Sequence, residues 1–391
     1  MSRRLRSAVL LASVLVMAAA AVFFVRRAGR GRLHAIDAIP GNAFLVLTVD
    51  VDGLRRSPLG SPIFGGISSK LAGEKALTDL CGFDPLARMT ELAVAVPESG
   101  DKGDFGIAIK ADISRDELLG CAGKVIESRK QRAMGAPTVR ESGSYTLIEP
   151  DAPDSDPTHA FPTLAYRDGG PFLIARGVWL ASMIDTVEGK LPSAKVNPAH
   201  ATLRDDVTVD SGKVAPTVVA TAVLPKAFRE RMKAELGLEA DPGEDTSERG
   251  VMSGVLGVSS VGLGIKAGPA GGDSDVVAVF RCEDNAGCAV VERLLAKRRL
   301  DWAGRIDLRL LGVGKLLDSM KMENQGTLLR VTARAPSDDA SRWLDRLLTR
   351  PSRHPGAGPF LPPASHPGLP PGQAPTPDEV LQPRGTPQTP P

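Results

Sequence analysis

NAFLVLTVD, residues 42–50, and PTVVATAVL, residues 216–224, read as one kind of strand met twice, and the elements after each decide the fold. After the first, residues 52–56 open with an aspartate suited to capping a helix. After the second, PKAFRERMKAELG (225–237) is a well-marked helix: Pro225 stands at its start, Phe228, Met232 and Leu236 recur every fourth residue, and Gly237 ends it.

Working outward, each half continues in the same order. ELAVAVP (91–97) and DFGIAIKA (104–111) form a hairpin, and a helix comes next over 114–130, capped by Ser114 with Glu117 three residues on. VSSVGLGIK (258–266) and DVVAVFRC (275–282) form the second hairpin, and a helix comes next over 285–298 with Val290, Val291, Leu294 and Leu295 inward. Strand, helix, hairpin, helix therefore occurs twice, an internal repeat. The first half goes on through short strands at 139–141, 145–149, 163–167 and 171–176 to a helix over 178–187. The second ends in a helical stretch at 315–320, a strand at 327–335 and a helix over 338–348.

Hairpin-length turns outnumber crossovers, so the expected class is α+β with mostly antiparallel sheets. The organisation expected is a basic leader and membrane anchor (1–35), two weakly repeated halves (36–190 and 191–350) and a tail (351–391). The tail has 14 prolines in 41 residues and is expected to be disordered, with polyproline II character.

AVLLASVLVMAAAAVFFV, residues 8–25, is apolar or small except for Ser13. Eighteen helical residues at about 1.5 Å each reach roughly 27 Å, close to the hydrocarbon thickness of a bilayer. The expectation is an uncleaved single-pass anchor in a bacterial inner membrane, contacting lipid through 8–25; a cleaved signal peptide is the alternative. The Ala-x-Ala candidate at Ala18 to Ala20 leaves Val22 to Val25 still to come. Arginines flank the run on both sides, so charge barely orients it. A short basic leader before a single span is the usual form of an export signal, which places the body in the periplasm, with a cytoplasmic body as the rival.

The net charge of +2 hides an asymmetry. All seven charged residues before position 33 are arginines, and without them 41 basic residues face 46 acidic ones, leaving −5. An acidic body is a poor partner for phosphates, so nucleic-acid binding is not expected.

Four cysteines fall in parallel places: Cys81 before one hairpin and Cys121 in the helix after it, Cys282 at the end of one strand and Cys288 in the helix after it. Outside the cytoplasm Cys81 with Cys121 and Cys282 with Cys288 are plausible pairs; buried free thiols are the alternative. Without a Cys-x-x-Cys, zinc-ribbon and redox-motif readings lack their spacing. The five histidines, His34, His159, His200, His354 and His366, are scattered. Asp151, Asp154, Asp156 and His159 crowd one loop but lack the turn glycine and late glutamate of a calcium loop. Gly312, Gly314 and Lys315 end like a phosphate loop, yet Arg309 and Leu316 stand where glycine and Ser/Thr belong. Ser99 and Lys102 match a Ser-x-x-Lys spacing inside a turn, without its partners. Gly254, Gly257, Gly262 and Gly264 fit bulges or close packing in an apolar strand better than a phosphate cradle. No cofactor and no catalytic set is expected, and catalysis is disfavoured.

IPGNAFLVLTVDVDGLRRSPLG (39–60), CGFDPL (81–86) and DGGPFLIARGVWLASMID (168–185), together with the N-terminal span, resemble bacterial membrane-anchored envelope proteins whose activity is not established. The resemblance is one of pattern. It implies an extracytoplasmic α+β protein that binds a partner or plays a structural role, and transfers no catalytic residue. A module for an apolar or lipid-like ligand between the halves is the alternative, motivated by the stretch 251–265; a periplasmic enzyme is the third.

Overall fold

The computed structural model describes residues 33–65, 77–98, 104–128, 138–149, 162–176, 178–208, 215–235, 254–305, 309 and 313–349. The candidate span 8–25 and the proline-rich tail lie outside the described residues. Among those described, no helix is long and apolar enough to cross a membrane.

The first half begins with a 3-10 turn (Ala35–Ala38) and runs β1 (Ala43–Asp50), α1 (Val51–Arg55), α2 (Leu77–Cys81), β2 (Met89–Pro97), β3 (Gly106–Ala111) and α3 (Arg115–Ser128). It continues through β4 (Thr138–Ser142), β5 (Tyr145–Glu149), β6 (Thr163–Tyr166), β7 (Phe172–Ala175) and α4 (Val178–Val187). The second runs α5 (Pro198–Asp206), β8 (Val218–Val223), α6 (Lys226–Glu235), β9 (Val258–Lys266), β10 (Asp273–Cys282) and α7 (Asn285–Ala303). It closes with α8 (Val313–Ser319), β11 (Lys321–Asn324), β12 (Leu328–Pro336) and α9 (Ser337–Thr349).

All twelve strands join one sheet, in the order β11-β12-β10-β9-β8-β1-β2-β3-β7-β6-β5-β4, and every neighbouring pair is antiparallel. The fold is α+β built on one large antiparallel sheet. The halves meet where β1 pairs β8, with Leu47 opposite Ala220 at the middle of that ladder. The boundary at residues 190 and 191 falls between α4 and α5, and the strands before it (β1–β7) and after it (β8–β12) form two contiguous blocks of the one sheet.

Local chemistry explains the helix starts. The helix after β1 is capped by Asp50, whose side chain accepts from the Gly53 N–H, rather than by Asp52: the strand ends with Asp50 still extended, so its carboxylate reaches a free amide three residues on. At α3 the Ser114 hydroxyl accepts from the Glu117 N–H while the Glu117 carboxylate accepts from the Ser114 N–H, a reciprocal capping box. The helix α5 has no counterpart among the expected elements. It is capped by the Asn197 side-chain oxygen with Pro198 behind it, so His200 sits in a helix and not in a loop. At the other end of the second half, α7 runs five residues beyond the expected 298, to Ala303.

The two faces of the sheet are covered unequally. On the front face Val46, Ala93, Ala95, Ala108, Val277 and Val279 are all at most 2% exposed. The 3-10 turn and α4 form one core cluster with the first-half residues of this face, and Leu203 and Val207 of the α5 region form another with Val219, Val277 and Val279. Small residues let those covers approach. A Cβ on Gly264 would stand 2.6 Å from the Val207 carbonyl oxygen, one on Gly262 2.8 Å from Val207 Cγ1, and one on Gly106 2.4 Å from the Trp179 indole nitrogen. The glycines of β9 are there for close packing.

Candidate functional site: the half-covered back face

The back face carries the residues between those. Its middle row reads across the ladders as Ile107, Val94, Leu47, Ala220, Leu263 and Ala278, each directly opposite the next. The rows on either side run from Ile109 to Val276 and from Val96 to Phe280, and hold only Val, Leu, Ile, Ala and Phe. Every one of these side chains is half-buried where its front-face neighbours are sealed.

The cause lies in where the helices go. At the β10–β12 side, α7 closes over the sheet, so Leu329 and Val331 are buried together with Val258, Val291 and the Cys282–Cys288 pair. Val261 of β9 and Ala278 and Phe280 of β10 pack against that cluster, and toward β8, β1, β2 and β3 the row residues are half-buried. The counterpart helix of the first half, α3, packs principally on α2, and its own apolar residues Leu118, Leu119, Ala122 and Val125 are only half-buried. Phe228 and Met232 of α6 and Trp343, Leu344 and Leu348 of α9 are likewise half-buried. At about 4.8 Å per strand and about 3.4 Å per residue, the three rows from β3 to β10 have a footprint of roughly 24 by 13 Å, all of it half-buried, with Val261, Ala278 and Phe280 packed against the α7 cluster.

The rows themselves contain no hydrogen-bonding side chain. Chemically the face can hold apolar matter and gives no polar group an anchor.

The other candidate residues do not converge on it. Cys81 is bonded to Cys121, which fixes α2 to α3, and Cys282 to Cys288, which fixes the end of β10 to the first turn of α7. Cα atoms are 4.4 and 5.6 Å apart. His200 is 1% exposed. Its Nε2 donates to the Ala43 carbonyl (2.9 Å), so its Nδ1 accepts from the Thr221 hydroxyl (2.8 Å). Burial pushes its pKa below the ordinary value, nearby Arg204 pushes it the same way, and the bond to Ala43 opposes them. It is a sealed, neutral tie between α5, β1 and β8, and it opens on no cleft. His34 lies at the entry to the body, its Nδ1 3.0 Å from Glu91 Oε1. Gly314 and Lys315 open α8, with Lys315 paired to Asp339 at 2.9 Å. Residues 99, 102, 151–159 and 312, and His354 and His366, lie outside the described residues. Among the described residues no cluster of His, Cys, Asp and Glu could hold a metal.

No protein-family model matches the chain, and no curated protein matches it. Among solved structures it is similar to crystal forms III and IV of TP0453, at TM-scores of 0.43 and 0.41 and identities of 12% and 11%. Those matches cover 80% and 79% of this chain and 98% and 96% of the other. A likeness that loose carries no argument about function, which leaves the chain's own geometry.

Proposed function

We propose that the chain is a membrane-tethered extracytoplasmic binding protein without catalysis, and that the back face of its sheet takes an apolar, chain-like ligand such as the acyl tail of a lipid. The carrying observation is the contrast between the faces: three apolar rows in register are half-buried, while the front face of the same strands is sealed. Covering such a surface gains about 25 cal/mol per Å² of apolar area, and rows without a polar anchor favour a ligand recognised by length and apolarity.

On this reading the tether is the apolar run 8–25 with its arginine collar. Pairing of all four cysteines supports an oxidising compartment and hence a body on the outer side of the inner membrane, as in the bacterial envelope proteins that its sequence pattern resembles. The order β1-β2-β3 one way and β8-β9-β10 the other, with a helix after each first strand and each hairpin, supports a duplicated unit whose copies pair through their first strands. On that reading the ligand lies across the junction of the halves.

The test uses the full chain purified in mild detergent and exchanged into a lipid nanodisc, titrated with an environment-sensitive fluorescent fatty acid. Saturable binding that weakens several-fold in Leu47→Thr and Val94→Thr supports the proposal, since both keep strand propensity and remove apolar surface. Absence of binding, or binding indifferent to both changes, overturns it and leaves the face to a partner protein.

A further inference from the structure

The back-face row that starts at Val276 does not stop at Ile109. Ile109 is opposite Phe172 of β7, and the Phe172 ring stacks on Tyr166 of β6 with centroids 5.5 Å apart. Tyr166 is opposite Thr146 of β5, and Thr146 is opposite Glu141 of β4. The middle row runs beside it through Ile174 and Leu164, both half-buried, to Ile148, which is 4% exposed. Two strand spacings beyond β3, roughly 10 Å, the apolar surface therefore meets hydroxyls and charges.

Tyr166 and Thr146 are buried, while Asp168, Glu141 and Arg115 are exposed. The Tyr166 hydroxyl donates to Asp168 Oδ1 and accepts from the Arg115 N–H, and the Thr146 hydroxyl donates to Glu141 Oε1 at 2.9 Å. Burial first, and then the bond to Asp168, push the Tyr166 pKa up to about 12, so the phenol keeps its proton. Seating the first turn of α3 on β6 accounts for the two hydroxyls. It leaves the Arg115 guanidinium with a single contact, 3.7 Å to Glu141 Oε1, and Asp168 Oδ2 without a partner among the described residues.

Resting on the apolar reading of the back face, we infer that this end of it holds the head of the ligand, a zwitterionic phosphoethanolamine group, with the ammonium on Asp168 and Glu141 and the phosphate on Arg115. Charges of both signs at one margin match a head that carries both. A primary ammonium offers three N–H donors to the carboxylates where a quaternary one offers none, and a guanidinium meets phosphate as a fork. The tail then runs over Phe172 and Ile174 toward Val94 and Leu47, while the head stays at the water edge.

Full-length protein in mild detergent, loaded with the fluorescent fatty acid, is titrated with lysophosphatidylethanolamine, lysophosphatidylcholine and lysophosphatidylglycerol of one chain length. The ethanolamine lipid is expected to displace the probe at a concentration at least tenfold lower than either of the others. Asp168→Asn should bring it level with the choline lipid. Arg115→Gln should weaken all three several-fold and leave dodecylamine, which has no phosphate, unchanged. Both side chains lie at the surface, and an unchanged urea midpoint confirms that each variant keeps its fold. Equal displacement by the three lipids overturns the head site and leaves the apolar face standing, as does a preference that survives Asp168→Asn or a bound probe that none of them displaces. A probe that does not bind at all overturns both readings.

Discussion

Leu47 lies directly opposite Ala220 across the β1–β8 ladder, flanked on one side by Leu45 opposite Ala222 and on the other by Val49 opposite Val218. Because the strands are antiparallel, a half-turn about that pair exchanges β1 with β8, and in strand order carries β2 and β3 onto β9 and β10. The large residues of both halves therefore fall on the same side. Their small partners, Ala93, Ala95 and Ala108 in one half and Gly262 and Gly264 in the other, fall on the opposite side, where helices come close. One sheet thus has a sealed face made for tight cover and a face whose apolar rows are half-buried.

Neighbours on β9 should separate packing from binding. In Gly264→Ala the added methyl meets the Val207 carbonyl oxygen at 2.6 Å and Val207 Cβ at 3.0 Å, backbone that cannot step aside. The expected cost is about 1–3 kcal/mol in urea unfolding, with fatty-acid probe affinity unchanged once the protein is folded. Leu263→Thr, one residue away on the back face, should do the reverse and lower affinity several-fold with a smaller loss of stability. Equal effects on both readouts would mean that the faces are not distinct.

The two disulfides should differ in worth by their loops. Cys81 and Cys121 are 40 residues apart and Cys282 and Cys288 only 6. The chain-entropy account gives roughly 4 kcal/mol for the first and roughly 2 kcal/mol for the second. Cys121→Ser should therefore lower the urea midpoint about twice as far as Cys288→Ser. External thiol labelling of intact cells should modify these cysteines only after reductant; labelling without reductant that appears only on lysis would place the body in the cytoplasm.

Much of this architecture is legible in the residues alone. Alternation with period two places β1, β2, β3, β8, β9 and β10 and pairs the hairpins, and Ser114, Glu117 and Pro225 mark helix starts by side-chain chemistry that acts within one turn. The helix α5 is hidden because PAHATLRDD has little apolar periodicity: its stability comes from Asn197 capping and from Leu203 and His200 docking on a distant strand. The short edge strand β11 escapes notice because KMEN has no alternation of its own and depends on β12. The back-face site is written in the strands as an alternation of size, LAVAV and VGLGI, small then large. What local pattern cannot supply is how far each helix reaches, a matter of long-range packing, and so which of the two apolar faces stays half-covered.

Glu91 joins the entry segment to the sheet, and its removal should loosen that segment alone. Its carboxylate takes Lys110 Nζ at 2.9 Å, the Ala35 N–H at 3.1 Å and His34 Nδ1 at 3.0 Å. Burial by itself would raise its pKa, but those bonds together hold it below the ordinary carboxylate value. A depressed carboxylate stabilises the fold above its ordinary pKa, and that contribution is lost as pH falls below about 4.5. Glu91→Gln should cost about 1–2 kcal/mol at neutral pH and speed hydrogen exchange at Ala35 and Asp37, while amides of β9 and β10 keep their protection. Uniform loss of protection would show that the segment does not open independently.

His200 should give the fold a pH dependence of its own. Since burial holds the folded pKa below the ordinary value, the imidazole is neutral in both states above about pH 6.5, and its contribution to stability is fully present there. As pH falls below that value the unfolded chain takes up a proton that the folded chain refuses, so stability declines by at most about 1.4 kcal/mol per pH unit until the folded pKa is reached. His200→Gln keeps a polar side chain but no titration. It should be less stable at neutral pH by about 1–3 kcal/mol, because the Ala43 carbonyl and Thr221 hydroxyl are poorly matched by an amide. The gap between the two proteins should then narrow as pH is lowered from about 7.5 to about 5, the window in which the buried imidazole alone distinguishes them. Urea unfolding of both at several pH values measures it directly, and a gap that stays constant across that range would mean that His200 does not exclude its proton in the folded sheet.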